Sequence, residues 1–274
     1  MTHVVYPSKV TKQWADFLRG SEPRGHAVQI YADADELAAS VATYFAAGFE
    51  EGEPGLVVAT PAHRARFAER LAAAGWDVAR LEQKGLLVAK DAEALLSLIL
   101  EGDHPSAAAF ERVVGGLLDE LGERFPDREI RVFGEMVDLL SERGQTESAI
   151  SLEELWNSLA WSRRFSLLCG FRLDVFDRES QIATLPEVCR THSHVLAAAD
   201  SSRLAKAVDQ ALEEVLGIAE AGKVYLVVGE QIRQDRVPAP QLVLMWVSAN
   251  MPALADRILA SARTRYHALA PAPA

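Results

Sequence analysis

Cysteine is scarce in this chain, with Cys169 and Cys189 the two present. Two thiols build no disulfide framework, and their spacing matches no zinc ribbon or finger. Cationic residues are outnumbered: 28 Lys and Arg stand against 39 Asp and Glu, for a formal net charge of -11. No arginine- or lysine-rich run breaks that balance, and such a surface repels a phosphate backbone, which argues against direct nucleic-acid binding. No apolar run approaches the ~20 residues of a membrane-spanning helix. Met1 to Gly20 holds no apolar segment of the secretory kind. The expectation is a reduced, cytoplasmic location without membrane contact.

Glycine is missing where it would be most informative. Gly25 opens an alternating apolar strand through His26 to Tyr31, and a helix with Leu37, Val41 and Phe45 at helical spacing follows. A strand running into a helix is where a phosphate loop would lie, and such a loop needs glycines, a Lys and a Ser or Thr. The segment from Tyr31 to Leu37 has none of these and carries Asp33, Asp35 and Glu36 instead. Asp33 with Glu36 reads as a capping box, and acids at a helix N-terminus repel a phosphate. The nucleotide reading fails at that position.

What is present is an alternation of strands and helices. Leu56-Val57-Val58-Ala59 is a continuous apolar run of the buried parallel-strand type, and Thr60-Pro61 opens a helix as N-cap and first position. Trp76-Asp77-Val78 and Leu86-Leu87-Val88 are expected as short strands. Asp91 caps a helix through Leu98 and Ile99, and Ser106 begins another. Ile130-Arg131-Val132-Phe133 and Phe165-Ser166-Leu167-Leu168-Cys169-Gly170 are two further apolar strands, with a helix carrying Leu152 to Asn157 between them. The pattern predicts βαβ units and a mostly parallel sheet. Residues 1–24 read as an N-terminal helix around Val10, Trp14 and Phe17-Leu18 with a linker, 25–180 as the α/β domain, and 181–274 as a helical C-terminal region. Residues 223–228 suit a strand or a helix; Val224, Val228 and Ile232 at four-residue spacing favour the helix.

Three stretches in order carry a family resemblance. They are His26–Tyr31 with Leu56–Ala59 and Thr60-Pro61-Ala62-His63-Arg64, then Phe133-Gly134-Glu135-Met136-Val137, then Leu152-Glu153-Glu154-Leu155-Trp156-Asn157 with Phe165 to Cys169. Together, over roughly residues 24 to 180, they resemble the MEDS sensory domain of a dichloromethane-responsive repressor and of bacterial signalling proteins. The resemblance implies a RecA/KaiC-like fold whose phosphate loop is lost. It also implies a non-catalytic role in detecting small hydrocarbon derivatives. Nothing before Gly25 suits a DNA-binding domain, so a separate downstream regulatory protein is implied, in transcription regulation or another signalling output.

The candidate ligand-binding residues are Tyr31, Thr60, His63, Glu135, Glu153, Trp156 and Asn157. Tyr31, Thr60 and His63 end or follow the first two strands, where ligands bind in open α/β sheets. Glu135 follows the next strand, where a RecA-type ATPase would carry an acid, and equally suits a helix start favoured by the dipole. Glu153, Trp156 and Asn157 share one helical face, with Trp156 also suited to the core and Thr60 to a simple cap. His192 and His194 invite a metal reading, but at i and i+2 they do not face one another on a helix. No metal, cofactor or catalytic residue is expected. The leading reading is a sensory module for a small organic molecule. A protein-interaction adaptor without small ligand is second and a residual NTPase third, and a homo-oligomer stays open.

Overall fold

The computed structural model describes residues 16–20, 25–196, 201–232 and 237–269. Its centre is a six-stranded, wholly parallel sheet. In chain order its strands are β1 (His26–Tyr31), β2 (Gly55–Ala59), β3 (Leu87–Asp91), β6 (Ile130–Gly134), β7 (Phe165–Arg172) and β8 (His194–Leu196). A small separate hairpin pairs β4 (Leu100–Glu101) with β5 (His104–Pro105). The spatial order of the main sheet is β3-β2-β6-β7-β1-β8. The four inner strands are buried along nearly their whole length, as a parallel sheet covered by helices on both faces requires.

Two-residue alternation sorts the sheet side chains onto two faces. Tyr31, Val57, Ala59, Phe133 and Leu168 face α1 (Ala34–Glu50), α2 (Pro61–Ala73) and α3 (Val78–Gln83), which bring Leu37, Val41, Phe45, Phe67, Leu71 and Leu81. Val28, Ile30, Val58, Val132, Leu167 and Cys169 face the other way. There they meet α4 (Ala92–Ile99), the helical stretch α5 (107–124), α6 (Met136–Glu142), α7 (Thr146–Ser162) and α8 (Leu185–Thr191). The same core continues into α9 (Ser201–Leu216), α10 (Ile218–Ile232), α11 (Ala239–Asn250) and α12 (Pro252–Ala268) through Leu204, Val208, Val228, Val247 and Ile258.

This sorting places the ligand-binding end of the sheet. The helix after β2 lies on one face and the helix after β6 on the other, although β2 and β6 are neighbours. The same holds for β1, followed by α1, and its neighbour β7, followed by α8. Diverging helices leave a crevice outside the carboxyl ends of such strand pairs.

The structure corrects some local expectations and bears out others. Trp76-Asp77-Val78 is not a strand: Asp77 caps α3, its carboxylate accepting the Arg80 N–H at 3.0 Å. The cap wins over the apolar flanks because it satisfies a helix donor that a strand would leave to its neighbour. β8 lies in the stretch grouped by sequence with the helical C-terminal region, and three residues are too few to show a period. Residues 223–228 are helical. Thr60 caps α2 with Pro61 at its start, and Asp91 caps α4. Residues 16–19 are helical with Phe17 and Leu18 buried, while Val10, Trp14 and the linker fall outside the described residues. Among the described residues, no helix is long and apolar enough to cross a membrane.

Candidate functional site

Glu135 occupies the turn between β6 and α6, and its side chain does not cap its own helix. It crosses to the neighbouring strand end instead. Oε1 accepts the Thr60 backbone N–H, and Oε2 lies 2.5 Å from His63 Nδ1. The Glu135 carboxylate is 2 % exposed, so both oxygens are committed in a place water hardly reaches. That contact raises the His63 pKa above its ordinary value, against the opposing effect of partial burial. His63 can adopt this position because Thr60 and Pro61 fix the first turn of α2, where the Thr60 hydroxyl accepts the His63 N–H at 3.4 Å.

One helical turn along α6, Asp138 reaches the adjoining crevice. Tyr31, the last residue of β1, donates its hydroxyl to Asp138 Oδ2 at 2.6 Å, and the Arg172 N–H donates to Oδ1 at 2.7 Å. Burial lifts the Asp138 carboxyl to about 6, its two donors only partly offsetting the lost hydration. Burial likewise pushes the Tyr31 phenol far up, with Asp138 adding to the effect. The Tyr31 ring meets the His63 imidazole edge-on, with centroids 5.9 Å apart.

These groups surround a recess of ≈ 260 Å³ lined by Tyr31, Thr60, His63, Glu135, Asp138 and Arg172, among others. Tyr31 and Arg172 also line an adjacent cleft of ≈ 610 Å³, which Arg263, Tyr266 and His267 of α12 line as well. Hydroxyl, imidazole and carboxylates, with Ala32, Ala34 and Leu139 beside them, suit a small ligand with a hydrogen-bonding group. The buried carboxylates disfavour an anion there. At the start of α1 the Asp33 carboxylate accepts the Asp35 N–H at 2.8 Å, so acids fill the first turn that a phosphate would need.

The structure therefore brings together four of the seven residues singled out by sequence: Tyr31, Thr60, His63 and Glu135. It separates the other three. Trp156 is 1 % exposed and packs edge-on against Phe110 and Phe165 at 5.1 and 6.0 Å, an anchor of the core. Glu153 and Asn157 point to His26, the first residue of β1. Five residue steps, roughly 16 Å along a strand, separate His26 from Tyr31 at the other end. Asp138 and Arg172 were missed, although Asp138 stands three residues after Glu135 on one helix face, a spacing the sequence displays.

The family model described as MEDS, MEthanogen/methylotroph, DcmR Sensory domain, matches residues 25–193. No curated protein matches the chain.

Proposed function

Because the chain belongs to the MEDS sensory-domain family, we propose that it is a non-catalytic module that binds a small uncharged or cationic organic molecule at the recess between Tyr31, His63, Glu135 and Asp138. The observation that carries this reading is the convergence of those side chains from β1, α2, α6 and the turn before α6 on a recess at a switch point of the sheet. A RecA/KaiC-type ancestor that lost its phosphate loop accounts for acids standing at the start of α1.

The signal leaves through α12. Tyr31 and Arg172 border both the recess and the larger cleft, and Arg263 of α12 pairs with Asp174 just past β7. A ligand that redirects Tyr31 or Arg172 changes what α12 rests upon, and a separate regulatory protein reads the change. Thermal-shift screening over small alcohols, halocarbons and amines tests the reading. A true ligand at 100-fold its Kd stabilises by about 2.7 kcal/mol, and Glu135→Ala or Tyr31→Phe abolishes the shift. A screen in which no compound raises the melting temperature, or in which both variants respond like the wild type, overturns it.

A second reading, an adaptor without a small ligand, is favoured by α10, where Ile218 and Leu226 are each 78 % exposed and Val227 is exposed beside them. Replacing Leu226 and Val227 with Glu separates the two: an adaptor loses its partner, whereas a sensor keeps its thermal response. Calorimetric titration with ATP and magnesium addresses the residual NTPase, for which the acids at Asp33, Asp35 and Glu36 predict no binding.

A further inference from the structure

At the opposite end of the sheet, four side chains from four elements converge in the interior. His26 starts β1, Glu153 projects from α7, Cys169 lies in β7, and His192 follows α8 directly. All four are buried, and one ligand atom from each lies within 4.8 Å of the others. His26 Nε2 is 3.2 Å from Glu153 Oε2 and 3.3 Å from Cys169 Sγ. His192 Nε2 is 3.3 Å from Glu153 Oε1, and Cys169 Sγ is 3.7 Å from Glu153 Oε2.

The outer nitrogens of the two imidazoles are already assigned. Asn157 donates its amide N–H to the Thr191 carbonyl at 2.9 Å, which turns its Oδ1 toward His26 Nδ1, also at 2.9 Å. His26 Nδ1 must therefore carry the proton. His192 Nδ1 lies 2.6 Å from the Val188 carbonyl, an acceptor, and carries its proton for the same reason. In the neutral rings both Nε2 atoms then present lone pairs inward, toward a carboxylate that also offers only lone pairs. His192 Nε2 and Glu153 Oε1 are buried without a hydrogen-bond partner. Burial pushes the His26 imidazole down and the Cys169 thiol up. An inward ring of acceptors with Nδ1–H groups tied to a carbonyl and an amide is the arrangement metal-ligating histidines adopt.

We propose that His26, Glu153, Cys169 and His192 form a closed, four-ligand site for one divalent transition-metal ion, zinc by ligand chemistry. Ligands at ~2.0–2.3 Å around a tetrahedral zinc stand roughly 3.3–3.8 Å from one another; the four contacts given above, from 3.2 to 3.7 Å, fall at or close to that range, and the whole set, within 4.8 Å, contracts slightly around an ion. Glu153 carboxylate and Cys169 thiolate bring two negative charges, the histidines none, so a divalent ion leaves the buried centre neutral. On binding, the Cys169 S–H bond breaks, its proton goes to solvent, and the sulfur lone pair forms the bond to the ion. A thiolate with two imidazoles selects zinc over magnesium or calcium, and four protein ligands leave no open position, which marks a structural ion.

The site has a structural consequence. Directly after His192, the Ser193 N–H donates to the His26 carbonyl at 2.6 Å, and β8 pairs with β1 from His194 onward. The ion would bolt the edge strand, and the start of the C-terminal helices, to β1, α7 and β7. The local spacing of His192 and His194 gave no hint of this, because the partners of His192 come from elsewhere in the chain.

The test uses tag-free protein purified under reducing conditions without chelator. Mass spectrometry of metals finds about one zinc per chain. Cobalt exchanged into the site gives tetrahedral visible bands and a thiolate-to-cobalt charge-transfer band in the near ultraviolet. Cys169→Ser removes the charge-transfer band while Cys189→Ser keeps it, and His192→Gln lowers the bound metal. Chelator treatment lowers the melting temperature, and zinc restores it. Folded wild-type protein that takes up less than ~0.1 ion per chain under added zinc overturns the proposal. So does a charge-transfer band that survives Cys169→Ser. Should Cys169→Ser fail to fold by circular dichroism, the cobalt spectrum of the wild type with the Cys189→Ser control decides.

Discussion

The Glu135 carboxylate leaves α6 and closes on the next strand end, with Oε2 2.5 Å from His63 Nδ1. The bond couples the first turns of two helices that lie on opposite faces of the sheet. It also makes the protonation of His63 a property of the crevice rather than of His63 alone.

His63 should titrate above 6.5, because the Glu135 contact raises its pKa. A histidine whose folded pKa exceeds its unfolded one contributes stability that is fully present below 6.5 and is lost as pH rises through the folded midpoint. Proton NMR of the imidazole reports that midpoint directly. Glu135→Gln keeps the size of the side chain, removes the charge and should return the midpoint toward 6.5. An unchanged midpoint in that variant would show that Glu135 does not set it.

Asp138 acts in the same direction at lower pH. Its folded value of about 6 stands above the ordinary 3.8, so between those values the native state holds the proton more firmly than the unfolded chain. Stability from this group is therefore present below 3.8 and lost as pH rises through about 6. Asp138→Asn should tolerate its surroundings, since the amide oxygen still accepts the Arg172 N–H and the Tyr31 hydroxyl can accept from the amide. The difference in urea-unfolding free energy between wild type and variant should change by on the order of 2 kcal/mol from about pH 4 to pH 7, the variant gaining at the higher pH. Parallel curves would count against a buried, proton-holding Asp138.

What the sequence displayed and what it hid follow from range. β1 was legible as an alternating apolar strand, β2 as a continuous apolar run and β6 and β7 as short apolar strands, and the Thr60 and Asp91 caps lay beside the helices they start, because those signals are local. Trp76 to Val78 misled because two apolar residues flank a cap, and β8 was too short to show a period. Glu135 stood out by position, yet its destination at Thr60 and His63 depends on which strands become neighbours. The convergence of His26, Glu153, Cys169 and His192 is hidden for the same reason: each belongs to a different element, and none is near another at a spacing that ligand motifs use.

Arg131 should be the most costly polar group to disturb. It is 1 % exposed, donates Nε to Glu53 at 2.7 Å and Nη1 to the Leu18 and Tyr44 carbonyls at 2.8 Å each, and stacks over the Tyr44 ring at 4.9 Å. α1 approaches so closely that a Cβ at Gly48 would lie 2.5 Å from Arg131 Cδ. Glu53→Ala strands a buried cation and should cost about 3–5 kcal/mol in urea unfolding. The double variant Arg131→Met with Glu53→Leu should cost less than the sum of the singles by at least ~2 kcal/mol, the coupling expected of partners in one buried network. Strict additivity would mean the pair is not energetically linked.

Trp156 tests whether ligand response and core packing are separable. Its ring fills the space behind β6, where a Cβ at Gly134 would touch it at 3.6 Å, and it contacts Phe110 and Phe165 rather than the recess at Tyr31. Trp156→Ala removes that volume from a dry core and should cost about 3–5 kcal/mol. Trp156→Phe keeps most of the packing and should cost less. In the Phe variant, any compound that stabilises the wild type should produce a thermal shift of the same size, because no atom lining the recess has changed. A shift lost in Trp156→Phe, with the fold intact by circular dichroism, would place ligand contact on α7 and move the site away from Glu135.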